Sequence, residues 1–170
     1  QVIMASPFAM IGGATFGYNA VLMLTFILAG LGMYLWISRV TKNKAAGLIA
    51  GTIYAFVPYH VAHALIGHFH IMGVQWFPFY FMGLFDILMD REKNWKSALT
   101  AGVFLGFIAL TSIYYTYMAL LTTAFLVVLY LVFIERRQFA NRKFWMNMLI
   151  LGVSAAPLLL SPRCDHGARR

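Results

Sequence analysis

Long apolar runs, separated by short clusters of charged residues, make up most of the 170-residue chain. The first clear run, 18–37, has about twenty residues, the length that a helix needs to cross a hydrocarbon core of ~30 Å. The stretch 97–134 carries no charge. As one helix it would be ~57 Å long, so it must fold back at the polar cluster 111–116. The pattern therefore predicts an all-α, polytopic transmembrane helix bundle. Its spans, about six, are expected at residues 18–37, 45–59, 71–89, 97–112, 116–134 and 144–160.

The ends of the chain and the second span depart from this simple pattern. Residues 1–17 are apolar but broken by proline and glycine, which favours a loop or a re-entrant piece at a membrane surface. The second run is short, because the residue before Pro58 is pushed out of the α region. The helix either ends there or kinks and carries His60 outward. The bundle is expected over 18–160, and the tail 161–170 changes character abruptly, as a non-native or truncated end would. The chain does not begin with Met, and we expect a fragment of a longer protein.

Composition agrees with a bilayer environment. The chain is 62% hydrophobic and 11% charged, and its mean hydropathy is +0.77. A soluble domain is nearer half apolar and a quarter charged. The net charge of +8 lies in short clusters between apolar runs, which indicates membrane topology and no nucleic-acid partner. The single Cys164 excludes an intrachain disulfide framework and a Cys-based zinc site. The sequence has no phosphate-binding glycine loop, nucleophile elbow or dinucleotide fingerprint, and no cofactor is expected.

Lysine and arginine fall on one side of the predicted bundle. The opposite loops, before residue 18, around 60–70 and at 111–115, contain neither. The basic residues of the first side are Arg39, Lys42, Lys44, Arg91, Lys93, Lys96, Arg136, Arg137, Arg142 and Lys143. By the positive-inside rule these basic loops are cytoplasmic, and the histidine-containing segment 60–70 is extracytoplasmic. The predicted partner of the apolar faces is the lipid bilayer.

The segment 58–76, PYHVAHALIGHFHIMGVQW, holds four of the five histidines and no charged residue. If it is one helix, His60, His63, His68 and His70 fall within roughly 160° of arc, opposite an apolar stripe. One interpretation is an interfacial helix whose histidines face water. A second is a site for an anionic head group such as a lipid-linked phosphate, because imidazole donates hydrogen bonds and carries positive charge. A third is a metal site, which the spacing and the lack of a nearby carboxylate do not favour, and no metal is predicted.

Other polar and small residues of the spans have competing interpretations. Asp86 is an acid inside a predicted span, which makes it a functional candidate, although a solvated helix end is the simpler interpretation. The pairs Gly47/Gly51 and Gly102/Gly106 are spaced as in closely packed membrane helices, and we expect packing there.

Tyrosines cluster at the predicted outer turn after the fourth span. Tyr114, Tyr115 and Tyr117 fit an aromatic belt at the membrane surface. The alternative is a surface that contacts a sugar or a lipid.

The order of several motifs resembles a known family. They are Tyr18-Asn19 before a span, the run AGLGMY at 29–34, the Ala/Gly-rich second span, Pro58-Tyr59 with His63 and His68, and Gln75-Trp76-Phe77-Pro78. Over residues 18–130 this order resembles bacterial polytopic proteins of the GT-C glycosyltransferase superfamily, of the mannosyl- and arabinosyltransferase type.

The resemblance implies sugar transfer from a polyprenyl-phosphate-linked donor on the outer face of the bacterial cytoplasmic membrane. The candidate substrate-binding residues are then His60, His63, His68, His70, Gln75, Trp76, Tyr114 and Tyr115. In such enzymes the catalytic acid lies in the first long outer loop. The corresponding residues 1–17 contain no Asp or Glu, so no catalytic residue is assigned.

Two function classes follow. The first is a fragment of a lipid-linked-sugar glycosyltransferase, which predicts an acidic residue upstream of Gln1. The second is a non-enzymatic membrane protein, either a transporter or flippase or an assembly subunit. The sequence has no charged pair at mid-depth of a span, which weighs against ion-coupled transport. It leaves the sugar, the acceptor and the oligomeric state open.

Overall fold

The computed structural model describes residues 2–67, 73–89, 95–134 and 142–159, and every element in these ranges is helical. The predicted all-α class is therefore confirmed. Within these ranges, three helical segments are long and apolar enough to cross a membrane: Met4–Thr41, Lys44–Ile66 and Ile113–Ile134. The elements are α1 (Val2–Thr41), α2 (Lys44–Ala55), α3 (Pro58–Ile66), a 3-10 helix (Gly73–Trp76), α4 (Phe77–Leu88), α5 (Trp95–Thr111), α6 (Ile113–Leu129), which continues as a π-helical turn (Tyr130–Ile134), and α7 (Arg142–Leu159).

Helix α1 begins much earlier than the sequence predicted. Residues from Val2 onward are helical, where a loop or re-entrant piece over 1–17 was expected. The expected break is confined to Gly13, whose φ of 83° and ψ of 172° interrupt the helix at a conformation that glycine tolerates. Apolar residues on both sides continue the helix, because a helix satisfies the backbone hydrogen bonds within its own segment.

The break between α2 and α3 answers a question that the sequence left open. Helix α2 ends at Ala55, Val57 is extended with ψ of 138°, and Pro58 starts α3 in its first turn, where its missing N–H costs nothing. Helix α3 then ends at Gly67, whose φ of 78° is a left-handed cap. Of the predicted histidine face, α3 therefore carries only His60 and His63, and His68 and His70 lie outside the described residues.

Small residues bring α2 against α1. A Cβ atom added to Gly51 would lie 2.6 Å from the carbonyl oxygen of Gly30 and 3.2 Å from Cβ of Tyr34. A Cβ added to Gly47 would lie 2.8 Å from the carbonyl oxygen of Tyr34 and would clash with the Ser38 side chain. The two helices approach this closely only because those positions have no side chain, which confirms the packing role predicted for Gly47 and Gly51.

A buried apolar cluster lies between α4, α5, α6 and α7. Tyr80 and Leu84 of α4 pack with Leu105 and Ile108 of α5, and each of these side chains is almost completely buried. Gly102 of α5 faces α7, where an added Cβ would lie 2.6 Å from the carbonyl oxygen of Leu151.

Short interruptions set the remaining helix ends. Pro78 lies in the first turn of α4, so the predicted span 71–89 is only partly α-helical. At the other end of α5 the chain turns at Ser112, whose φ of −159° and ψ of 136° separate α5 from α6. That turn lies within the predicted polar cluster 111–116. It also places the tyrosines of early α6 next to the end of α5.

Candidate functional site

Three elements meet at one end of the bundle, which we call the histidine end: α3, the 3-10 helix and the turn between α5 and α6. The hydroxyl groups of Tyr59 and Tyr115 are 3.1 Å apart, which joins α3 to the start of α6. The 3-10 helix lies against the end of α5, since a Cβ on Gly73 would clash with the side chain of Thr111. Segments that the sequence predicted on the same side of the membrane are thus in contact.

His60 is the most buried histidine of the described residues, with 0% exposure. Its Nδ1 lies 2.9 Å from the carbonyl oxygen of Ala55, and its ring stacks on Phe26 of α1 at a centroid distance of 4.1 Å. The interpretation that the histidines face water is therefore wrong for His60. The apolar stripe of α3 is the exposed side, with Leu65 at 84% and Ile66 at 65% exposure.

Gln75 is also completely buried, at 0% exposure. Its amide oxygen and nitrogen, and Nε2 of His60, have no hydrogen-bond partner within the described ranges. A buried polar group left in this state costs about 1–3 kcal/mol. The segment that carries Gln75 is fixed by Tyr54 of α2, whose hydroxyl donates to the carbonyl oxygen of Val74 at 2.9 Å.

The other predicted site residues have more varied surroundings. His63 is half-buried and packs edge-on against Tyr59 at a centroid distance of 4.4 Å. Trp76 packs against aromatic rings of α5 and lies, partly buried, against the core. Tyr115 is half-buried, whereas Tyr114 is 82% exposed. The structure thus brings His60, Gln75 and Tyr115 to one end of the bundle, while Tyr114 points away from the protein. His68 and His70 lie outside the described residues.

The metal interpretation of the histidine segment finds no support in the described ranges. No three His, Cys, Asp or Glu side chains there are grouped closely enough to hold a metal ion.

An apolar groove of about 420 Å³ runs along the exposed side of the α1–α2 packing. It borders the histidine end, because two of its lining residues, Phe26 and Ala55, also hold the His60 ring. Its edges are exposed apolar side chains, including Ile27 at 61% and Leu48 at 64%. The lining consists of Phe26, Ile27, Gly30, Leu31, Tyr34, Leu48, Gly51, Thr52, Ala55 and Phe56.

The opposite end of the bundle contains an ion pair. Nη1 of Arg39, in the last turn of α1, donates to Oδ2 of Asp86 in α4 at 2.8 Å. The Asp86 side chain is only 8% exposed, whereas that of Arg39 is 40% exposed. The simpler interpretation of Asp86 as a solvated helix end is therefore wrong. The pair joins the ends of two helices that the charge pattern had placed on the same side.

Sequence reasoning missed Tyr54 and the groove. Tyr54 lies inside an apolar run. The one indication of its role in the sequence was its hydroxyl group, which needs a hydrogen-bond partner when it is buried. The groove depends on how α1 and α2 cross. The glycines indicated close packing, but they did not indicate which side of the crossing stays open.

Apolar helices of spanning length and an apolar exposed surface define this chain as an all-α membrane protein. Residues 2–168 match the model of a family described as the 6-pyruvoyl-tetrahydropterin synthase related domain, a membrane protein family, and the chain belongs to it. The predicted membership of the GT-C glycosyltransferase superfamily is therefore wrong. The motifs that suggested it are helix breaks, small residues and interfacial aromatics, which many polytopic proteins share. No significant match was found among curated proteins or among solved structures.

Proposed function

We propose that this chain is a non-enzymatic membrane protein that binds a membrane lipid, with one lipid chain in the groove between α1 and α2. The groove carries the proposal. Its volume of about 420 Å³ is in the range of small-molecule sites, and its lining is almost entirely apolar. Of the two polar side chains in the lining, Thr52 already donates its hydroxyl to the carbonyl oxygen of Leu48 at 2.9 Å. The surface therefore suits a hydrocarbon chain.

Position favours a lipid chain over other occupants. The groove lies between two segments of spanning length, and its edges are apolar side chains exposed on the outside of the bundle. In a bilayer the surroundings of such a surface are acyl or isoprenoid chains, which reach the groove by lateral diffusion without crossing water. A helix from a second copy of the chain is the competing occupant, and the experiment below separates the two.

The proposed orientation keeps the basic loops in the cytoplasm of a bacterial cell and the histidine end on the outer side of the cytoplasmic membrane. The ion pair between Arg39 and Asp86 supports this arrangement, because it joins two helix ends that the charge pattern assigns to the cytoplasm. The contact between Tyr59 and Tyr115 supports it from the other end.

Filling the groove tests the proposal. Leu48→Trp adds bulk at the groove edge, whereas Ile49→Trp adds the same bulk on the same helix at a residue outside the lining. The Leu48 and Ile49 side chains are 64% and 61% exposed, so the two positions are well matched. Overpacking of a site by a large side chain costs about 1–3 kcal/mol, which corresponds to roughly a 5- to 150-fold loss of affinity.

The readout is native mass spectrometry of the full chain released from lipid nanodiscs. We expect one retained lipid per chain in the wild type and in Ile49→Trp, and roughly tenfold less in Leu48→Trp. Equal lipid retention in both variants would contradict the proposal. Loss of a dimer in Leu48→Trp alone, without loss of lipid, would assign the groove to a second copy of the chain instead.

A further inference from the structure

His60 and Gln75 are buried polar residues without a use in the lipid groove, whose lining includes neither of them. Nearly all buried polar atoms in folded proteins have a hydrogen-bond partner. Here Nε2 of one side chain and both amide atoms of the other have none among the described residues. Because both side chains are completely buried, any partner of these atoms must be enclosed together with them.

The chemistry of His60 is fixed by its neighbours. The carbonyl oxygen of Ala55 can only accept a hydrogen bond, so the proton of the neutral ring lies on Nδ1. Nε2 then has a lone pair and acts as an acceptor. A second proton there would make a charged ring in an apolar setting, and the sequence has no Asp or Glu between Lys44 and Asp86 to compensate it. The ring therefore suits a neutral donor better than an anion.

A hydrogen bond joins the end of α2 to the 3-10 helix, close in sequence to the partners of His60 and to Gln75. Tyr54 donates to the carbonyl oxygen of Val74. Tyr54 directly precedes Ala55, to which the His60 ring is bonded, and Val74 directly precedes Gln75. The unpartnered atoms thus belong to two adjoining segments of the histidine end.

We propose that His60 and Gln75 form one buried site that binds a neutral hydroxyl group. A hydroxyl donates one hydrogen bond and accepts others. Nε2 of His60 accepts, and the amide of Gln75 offers both a donor and an acceptor whichever way it is turned. Two sources supply this chemistry: an enclosed water molecule, or the hydroxyl of a polyol lipid head group. The anionic phosphate considered from the sequence does not match this set of atoms.

The test uses apolar replacements of similar shape, His60→Leu and Gln75→Met, in the full chain in phosphatidylcholine nanodiscs. If the polar atoms bind a hydroxyl, Gln75→Met loses that partner and its Tm falls by about 2–4 °C or more. His60→Leu is expected to lose more, because it also removes the hydrogen bond to the carbonyl oxygen of Ala55. The double variant is then no less stable than the worse single variant, because both lose the same bound group. A Tm at or above the wild-type value in the single variants would overturn the proposal, as would additive losses in the double variant.

A spectroscopic measurement keeps the proposal testable if a variant fails to fold. In wild-type protein labelled with ¹⁵N, the His60 Nε2 resonance, assigned by sequential correlation, is expected at the position of a hydrogen-bonded acceptor. A resonance typical of a free lone pair would overturn the proposal.

Lipid composition distinguishes the two sources. The same Tm series is repeated with phosphatidylglycerol, whose head group carries free hydroxyls, added to the nanodiscs. A wild-type Tm that does not change assigns the hydroxyl to an enclosed water. A Tm that rises in the wild type and in the control variant Tyr114→Phe, but not in Gln75→Met, assigns the hydroxyl to the head group. If these measurements contradict the hydroxyl site, the test of the lipid groove still stands, because Leu48 and Ile49 lie outside this site.

Discussion

Substitution of Gly51 by alanine tests the α1–α2 packing that creates the groove. Alanine is favoured over glycine inside a helix by about 1 kcal/mol. At Gly51 the new Cβ would lie 2.6 Å from the carbonyl oxygen of Gly30, a backbone atom that moves only if the helices separate. Such overpacking costs about 1–3 kcal/mol. The packing cost equals or outweighs the helical gain, and we expect a net loss of up to about 2 kcal/mol.

The matched control is Gly152→Ala in α7. Nothing lies within 4 Å of a Cβ added there, so this variant keeps the helical gain without the clash. It is expected to match or exceed the wild type by up to about 1 kcal/mol. The two variants should then differ by roughly 2–12 °C in Tm, measured by thermal unfolding in the same detergent. Equal midpoints for Gly51→Ala and Gly152→Ala would refute the close approach of α1 and α2.

Three further outcomes check the orientation and the two ends of the bundle. In a variant without the native cysteine, an impermeant thiol reagent should label Tyr114→Cys on intact cells but label Lys42→Cys only after permeabilisation; the reverse pattern would invert the topology. In a double-mutant cycle, Arg39→Met and Asp86→Leu should couple by about 1 kcal/mol, because solvent around the 40%-exposed arginine screens the pair, and strict additivity would contradict the ion pair. Tyr59→Phe should lower the free energy of unfolding by about 1 kcal/mol relative to Tyr114→Phe, and an equal effect would dismiss the contact between α3 and α6.

Much of the helical architecture could be predicted from the sequence. The uncharged stretch 97–134 is too long for one span, which correctly placed a turn near Ser112. Where helices end was harder. A glycine supports either a helix interior or a left-handed cap, so the pattern did not show that Gly67 ends α3 while Gly13 only interrupts α1.

The candidate site was less predictable because it depends on contacts between distant segments. An arc drawn around a helix placed His60 and His63 on one side, but it could not show that His60 packs against Phe26 of α1 and that Leu65 and Ile66 are exposed. The pairing of Arg39 with Asp86, 47 residues apart, likewise follows only from the packing of α4 on α1. Which side of a helix is buried depends on the helices packed against it, and the hydropathy pattern of one helix does not determine it.

Photo-crosslinking with a lipid that carries a diazirine on its acyl chain tests directly whether the groove between α1 and α2 holds a lipid. After illumination in nanodiscs, the adducts are mapped by peptide mass spectrometry. The proposal predicts adducts concentrated at groove residues such as Ile27 and Leu48, saturating at one lipid per chain. An even distribution over all exposed apolar residues, with Phe125 and Val128 of α6 labelled as strongly as the groove, would contradict it.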